Sequence, residues 1–334
     1  VRIDAVMLAY GKEQWLAEAV DAVLRSTGAE VSLTLVDNGS ESVAGLAARP
    51  GLRVLTPTAN LGYAGGCDLG AEEATAEFIA FVNSDAIVAP DALAKVAAVA
   101  AEPGVGAAMA SIRHADRLDV VNTAGNPLHI AGLSWAGGND EPASAYATRT
   151  SVPSLSGCAF VVRRDLWREL GGFAAEYFAY HEDTELSLRL WQRGLAPAYV
   201  PDAVVGHHYE FSRNEFKYYL LERNRLVTVL SAYAGRTILL LLPVLLLTEA
   251  AMLATAAMGG WFKAKVRGYG WLWRNRSWIR ARHRQLQAER TVRDRALAHL
   301  FTARFAPSNV DTPPGMGVYN VLAGLWWRLI RPLL

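Results

Sequence analysis

Five clusters of acid, amide, glycine and imidazole residues carry side chains or backbone that could do chemistry. Val36-Asp37-Asn38-Gly39-Ser40 and Val82-Asn83-Ser84-Asp85 each place carboxylate and amide groups just past an apolar run. Taken singly, Asp-Asn-Gly-Ser is an ordinary turn with an N-cap, and Asn-Ser-Asp an ordinary loop. Two such clusters on consecutive strand ends of one sheet point to a shared site. Between them runs Asn60-Leu61-Gly62-Tyr63-Ala64-Gly65-Gly66, which has neither the Walker A pattern nor the GxGxxG spacing of a dinucleotide fold. Its glycines fit a tight turn into a helix. They fit equally a backbone that approaches a ligand at a helix N-terminus, where free N–H groups favour anions. Further on, Glu182, Asp183 and Glu185 open a helix expected over 182–193, with Glu182 and Glu185 on one face. Such acids complement the helix dipole or supply a proton acceptor. A histidine doublet, His207-His208, follows the apolar run Ala203 to Val205.

These clusters must be held by the elements between them. Apolar runs at 3–9, 31–36, 52–56 and 77–83 read as strands. Residues 12–25, 64–75 and 91–101 read as helices. Strands alternating with helices predict βαβ units and a parallel sheet covered on both faces. Ligands of such sheets bind at the carboxyl ends of the strands, where the first two clusters fall.

The 334 residues are 52% apolar and 19% charged, which excludes a disordered chain. The mean hydropathy of +0.13 is high for a soluble protein and low for a polytopic membrane protein. Cys67 and Cys158 give no disulfide framework and no metal-site spacing, which suits a reducing compartment. A strand starting at Ile3 leaves no secretory signal at the start of this sequence. The net charge of +1 hides a division: residues 1–236 carry 19 Lys+Arg against 28 Asp+Glu, and residues 237–334 carry 14 against 4. An acidic body with a basic tail implies two tasks.

Taken in order, the segments resemble those of the family 2 glycosyltransferases with the GT-A fold, in the manner of bacterial rhamnosyltransferases. Val36 to Ser40 and Asn60 to Gly66 resemble the family's nucleotide-contacting segments, and Asn83-Ser84-Asp85 lies where the family carries its DxD metal motif. Ser156-Gly157-Cys158-Ala159-Phe160 and Gly171-Gly172-Phe173 resemble acceptor-side segments. Tyr180 to Leu190 resembles the Glu-Asp helix, and His207 to Arg213 the closing histidine segment. The resemblance implies an α/β GT-A fold, Rossmann-like with a mostly parallel central sheet flanked by helices, over residues 1–236. It implies metal-assisted, inverting transfer of a sugar from a nucleotide diphosphate sugar, UDP- or dTDP-linked. Asp37, Asn38, Asn60, Gly62, Tyr63, Ser84 and Asp85 would bind that donor. Asp85 and His207, with His208 in reserve, would hold Mg2+ or Mn2+. Asp183 would be the base, with Glu182 as its fallback, and Arg213 would reach phosphate. Asn83 replaces the first acid of DxD, so one charge is missing and metal binding should depend on the nucleotide. Ala174-Ala175 stand where the family often has acids, which removes an acceptor contact. No Gln-x-x-Arg-Trp occurs, so one-sugar transfer is expected rather than processive synthesis.

The remaining residues, 237–334, read as a hydrophobic and basic membrane-associating region. Residues 237–259 form an apolar run of 23 interrupted by Pro243 and Glu249, long enough to span a bilayer. A spanning helix is the first reading, but basic residues on both flanks conflict with a single span and put an in-plane or re-entrant segment, which keeps both flanks cytoplasmic, on an even footing with it. A core helix is the third possibility. Residues 263–304 hold 12 Lys+Arg and 2 Asp+Glu among several tryptophans. Beside a membrane segment this composition fits anionic headgroups rather than nucleic acid. Pro307 to Gly317 reads as a linker, and Tyr319 to Leu334 as a second in-plane anchor. The expected partners are thus a nucleotide diphosphate sugar, an anionic membrane and a lipid-linked glycan acceptor such as a polyprenyl-diphosphate-linked saccharide. The expected location is the cytoplasmic face of the cell membrane, in cell-surface polysaccharide synthesis. Two alternatives remain: a transferase that charges polyprenyl phosphate directly, and a non-catalytic nucleotide-sugar-binding scaffold.

Overall fold

The structure is a computed structural model that describes residues 1–209, 214–308 and 315–334. Glu210 to Arg213, including the expected phosphate contact Arg213, and most of the linker expected over 307–317 lie outside the described residues.

The first half alternates as expected: β1 (Arg2–Gly11), α1 (Leu16–Leu24), β2 (Glu30–Ser40), β3 (Leu52–Leu55), α2 (Gly62–Glu72), β4 (Phe78–Val82), β5 (Ala86–Val88) and α3 (Ala92–Ala100). The helix expected over 12–25 starts only at Leu16. Gly11 takes a left-handed φ of 68°, and the Glu13 amide donates to Ser42 Oγ at 2.9 Å, so the chain loops before it coils. Next come β6 (Val105–His114), β7 (Arg117–Thr123), β8 (Leu128–His129), β9 (Thr150–Ser151), β10 (Ala159–Arg163), α4 (Arg164–Leu170), α5 (Glu182–Gln192) and β11 (Ala196–His207). The chain closes with α6 (Glu215–Ala232), α7 (Gly235–Met258), α8 (Phe262–Arg274), α9 (Arg276–Glu289), α10 (Asp294–Leu297), β12 (Phe301–Thr302) and α11 (Met316–Ile330).

The main sheet runs β3-β2-β1-β4-β10-β6-β11-β5, with β7 beside β6 and β9 beside β11. β3, β2, β1 and β4 run parallel to one another, and β6 runs parallel to β11. β10 lies antiparallel between β4 and β6, and β5 antiparallel to β11, a mixed second half that periodicity alone does not show. β4, Phe-Ile-Ala-Phe-Val, is buried at every position, as a strand covered on both faces must be. Phe81, Phe160, Trp167 and Phe173 stack and tilt against one another with centroids 4.5–6.2 Å apart. α2 lies very close to the sheet because Gly66 and Gly70 face it. A Cβ there would come within 1.9 Å of the Leu8 side chain and 2.4 Å of Val6.

A second core joins the body to the C-terminal helices. It contains Leu128, Ile130 and Leu188 of the body with Leu241, Val244, Tyr319, Ala323 and Trp327 of α7 and α11. The short pair β8–β12 belongs to the same junction.

Candidate active site

Three strand ends and the start of α5 converge at the carboxyl edge of the parallel strands. At the end of β2, Asp37 Oδ1 accepts from the Gly39 and Ser40 amides at 3.3 and 2.8 Å, which shapes the turn. Buried Asn38 is committed to the neighbouring segment. Its Oδ1 accepts from the Leu61 amide at 2.8 Å, and its Nδ2 donates to Asn60 Oδ1 at 2.7 Å and to the Gly62 carbonyl at 3.3 Å. Asn60 Oδ1 also accepts from the Gly62 amide at 2.8 Å. These bonds tie the end of β2 to the first turn of α2.

Gly62 fixes that turn against the opposite wall. Its φ is 68°, and an added Cβ would stand 2.3 Å from the Phe178 carbonyl oxygen. The same carbonyl accepts from the Ala64 amide at 3.0 Å. Phe178, Tyr180 and His181, three of the four non-glycine residues with positive φ among the described residues, stand in this wall just before α5. Strain of this kind persists only where the surroundings enforce it. Asn224 of α6 enforces it here: its Nδ2 donates to the carbonyls of Tyr177, Ala179 and Tyr180 at 2.9, 2.8 and 2.7 Å. Arg223 adds bonds to the carbonyls of Glu176 and Tyr177 at 2.9 and 2.6 Å.

The acids of α5 differ in their surroundings. Asp183 Oδ2 accepts from the Gly157 amide at 3.0 Å, and its Oδ1 accepts from the Thr184 amide at 2.7 Å. Tyr63 donates its hydroxyl to the Gly157 carbonyl at 2.7 Å, which brings α2, the 157 turn and α5 together. Glu182 is buried, and its Oε2 has no hydrogen-bond partner. Burial and the charge of Asp183 hold the Glu182 carboxyl well above its usual range. Burial raises Asp183 too, but the Gly157 and Thr184 donors oppose it. Glu182 therefore keeps its proton where Asp183 can be ionised. Glu185 is turned away from them: it is buried between Arg189 at 2.7 Å and Arg282 of α9 at 2.5 Å.

On the β4 side, the antiparallel pairing of His207 with Ala86 sets the imidazole beside Asp85. His207 Nε2 lies 3.2 Å from Asp85 Oδ1. Its Nδ1 meets Asn122 Oδ1 at 3.0 Å, which favours the tautomer with Nε2 open toward Asp85. His208 instead stacks on Trp15, with centroids 3.6 Å apart and planes 7° from parallel. Asn83 Oδ1 is buried with no hydrogen-bond partner. A carboxylate and an imidazole nitrogen that meet where β5 pairs with β11 are ligand types that fit a divalent cation. Among the described residues no group of three or more His, Cys, Asp or Glu side chains could hold a metal.

The sequence reading missed several residues at this edge. Ser84 donates its hydroxyl to Glu13 Oε1. Burial pushes the Glu13 carboxyl up to about 7, with the Ser84 bond opposing. Glu13 fell inside an expected helix, which concealed it; Trp15, Asn122, Arg223 and Asn224 belong to no motif, so only their contacts identify them.

The glycosyl transferase family 2 model matches residues 4–171, about half of the chain. The N-acetylglucosaminyl-diphospho-decaprenol L-rhamnosyltransferase of Mycobacterium tuberculosis is 29% identical over 234 residues, covering 62% of this chain and 76% of the relative. An N-acetylglucosaminyltransferase of Sinorhizobium fredii is 24% identical over 220 residues, covering 61% of this chain and 52% of the relative. Among solved structures, the mannosyltransferase PcManGT of Pyrobaculum calidifontis, in complex with GDP-Man and Mn2+, superposes with a TM-score of 0.52 at 20% identity, covering 86% of this chain and 85% of that one. GalNAc-T7 with UDP, GalNAc and Mn2+ superposes with a TM-score of 0.55 at 17% identity, covering 69% of this chain and 47% of that one. At these identities the structural likeness establishes the fold. With its GT-A architecture and the match across residues 4–171, the chain belongs to glycosyl transferase family 2.

Proposed function

We propose that this glycosyltransferase moves a single sugar, with inversion, from a UDP- or dTDP-linked donor to a membrane-bound glycan acceptor of the polyprenyl-diphosphate-linked kind. The observation that carries the reading is the pairing of Asp85 with His207 on one side of the strand-end edge and of Asp183 with Gly157 on the other, joined because Cys158, next to Gly157, accepts from the Asn83 amide. The M. tuberculosis relative, named for a diphospho-decaprenol acceptor, supports the acceptor class.

In the proposed reaction, Asp37, Asn38, Asn60, Gly62, Tyr63, Ser84 and Asp85 form the donor side. Asp37 and Asn38 act largely through the turns they hold, and Tyr63 through Gly157. Asp183 accepts the proton of the acceptor hydroxyl; Glu182, the fallback, could take that part only after giving up the proton it holds. The acceptor oxygen bonds to the anomeric carbon as the bond from that carbon to the diphosphate oxygen breaks, and the bonding pair leaves on the diphosphate. Mg2+ or Mn2+ held by Asp85 and His207 would supply Lewis-acid stabilisation of the leaving diphosphate. Residues 1–236 form the transferase unit in this reading. Residues 237–334 hold it at the cytoplasmic face of an anionic membrane, where the acceptor resides, and nucleic acid is not a partner.

Calorimetry in mild detergent with UDP, dTDP, GDP and CMP, with and without Mn2+ or Mg2+, tests the donor side. Metal-dependent binding of one diphosphate, lost in Asp85→Ala, is expected. Folded protein that binds none of them would overturn the reading in favour of a scaffold. A labelled lipid product carrying a monophosphate link would overturn the acceptor assignment.

A further inference from the structure

α7 presents an inverted surface. It is the one helix among the described residues long and apolar enough to cross a membrane, and only 28% of its most apolar window is buried. Its polar side chains point inward. Thr248 Oγ1 meets Tyr319 OH at 2.8 Å, Thr237 Oγ1 donates to Asp294 at 2.5 Å, and Glu249 joins a buried ionic cluster. Its outward stripe is Leu239, Leu242, Leu246, Ala250 and Met258, all exposed. A surface helix in water shows the opposite pattern. α11 is apolar on both sides, burying Tyr319, Ala323, Trp327 and Ile330 and exposing Val318, Val321, Leu325 and Leu329. The two helices are antiparallel neighbours: Trp326 Nε1 donates to the Leu240 carbonyl at 2.9 Å, and Tyr319 meets Thr248 one end further on. Their apolar stripes therefore lie side by side.

The rim of this surface is cationic. Arg236, Lys263, Arg328 and Arg331 are exposed at the helix ends. Residues 235–288 contain one acid, Glu249, which is turned inward, and residues 316–334 contain none. That charge complements anionic headgroups.

α7 is also fastened along its inner side. Glu249 pairs with Arg225 and lies 2.8 Å from Lys265, and both cations meet Glu222 of α6 at 2.9 and 2.5 Å. Arg225 and Lys265 are each 1% exposed. Standing α7 upright in a bilayer, with lipid on every side, would pull Glu249 out of that cluster.

Resting on the membrane reading above, we infer that α7 and α11 form one in-plane face that enters a single leaflet of an anionic bilayer and that α7 does not span it. Both ends of α7 then stay on the side of the transferase body. The test adds full-length protein to the outside of sealed vesicles of phosphatidylcholine with phosphatidylglycerol, followed by flotation and labelling with a membrane-impermeant maleimide. Cys67 and Cys158 are buried, so introduced cysteines report position. Gly235→Cys and Gly260→Cys should both label from outside, and protection of position 260 alone would overturn the in-plane assignment in favour of a span. L242E/L246E and V321E/L325E should each lower vesicle partitioning about tenfold or more while leaving nucleotide binding unchanged. Unchanged partitioning in both would overturn this face while leaving the membrane reading standing. Absence of flotation by the wild type would overturn the membrane reading with it, whereas nucleotide binding scores the transferase reading separately. A wild type that is dimeric without vesicles, and monomeric in the double variants, would assign the face to a second copy and overturn the proposal.

Discussion

The Asp183 carboxylate receives two backbone amides, and the Glu182 carboxyl next to it leaves an oxygen unpartnered. Asp183→Asn keeps one of those two bonds, sets its NH2 against the other amide and removes the proposed proton acceptor. Its kcat should fall by ~10²–10⁴-fold with donor affinity retained, as single-turnover and binding measurements would check. Retained activity would remove Asp183 from the role. Gly62→Ala should act differently. The left-handed φ alone costs ~1–2 kcal/mol for an L side chain, and the 2.3 Å approach to the Phe178 oxygen adds to it. Thermal stability and donor affinity should fall together. Asn224→Ala would release three carbonyls of the strained wall before α5. Loss of kcat on the order of tens-fold, with donor affinity little changed, is expected, because the proposed base shifts while the β2–α2 knot remains. At this scale the sequence distinguishes poorly between neighbours. His207 and His208 are alike in a string of letters and differ only once β5 pairs with β11.

Among the elements, the first four strands were legible because each is a mostly apolar run, with a helix after β1 and another after β3. β10 was not legible as an antiparallel insert, since Ala-Phe-Val-Val-Arg has the same composition whichever way it runs. The orientation of α7 was equally hidden. Its run of leucines announces burial in something apolar, but only Arg225 and Lys265, distant in sequence, reveal which side faces the protein. That cluster makes a stability prediction. Burial pushes Glu222 up, but Arg225 and Lys265 override burial and hold it at about 2, below its ordinary 4.5. A depressed acid stabilises the fold fully above its unfolded value and loses that contribution as pH falls through the folded one. Melting temperature should therefore drop between about pH 4.5 and pH 2 more steeply in wild type than in Glu222→Gln. At pH 7 the variant should be less stable by ~3–5 kcal/mol, because two cations would share only Glu249. Equal stability of the two proteins at pH 7 would show that the cluster contributes nothing net.

Over the whole molecule, the change from acidic to basic sequence at residue 236 does not coincide with a gap in packing. α7 and α11 bury Leu128, Ile130 and Leu188 of the body, and β12 pairs with β8. A chain cut after residue 236 would expose that core. It should lose its cooperative melt or precipitate, whereas the double glutamate variants of the outer face should melt like wild type. A soluble, cooperatively melting 1–236 fragment would contradict this.

The pairing of Arg282 with Glu185 links the basic helix α9 to the helix that begins with Glu182 and Asp183. Its consequence concerns grafting. A C-terminal region transplanted without an arginine at position 282 would leave this carboxylate, 0% exposed, with Arg189 as its remaining cation beneath the candidate site. The candidate site and the C-terminal helices are thus not freely interchangeable parts in this chain: a stable chimera should carry residues 185 and 282 as a matched pair.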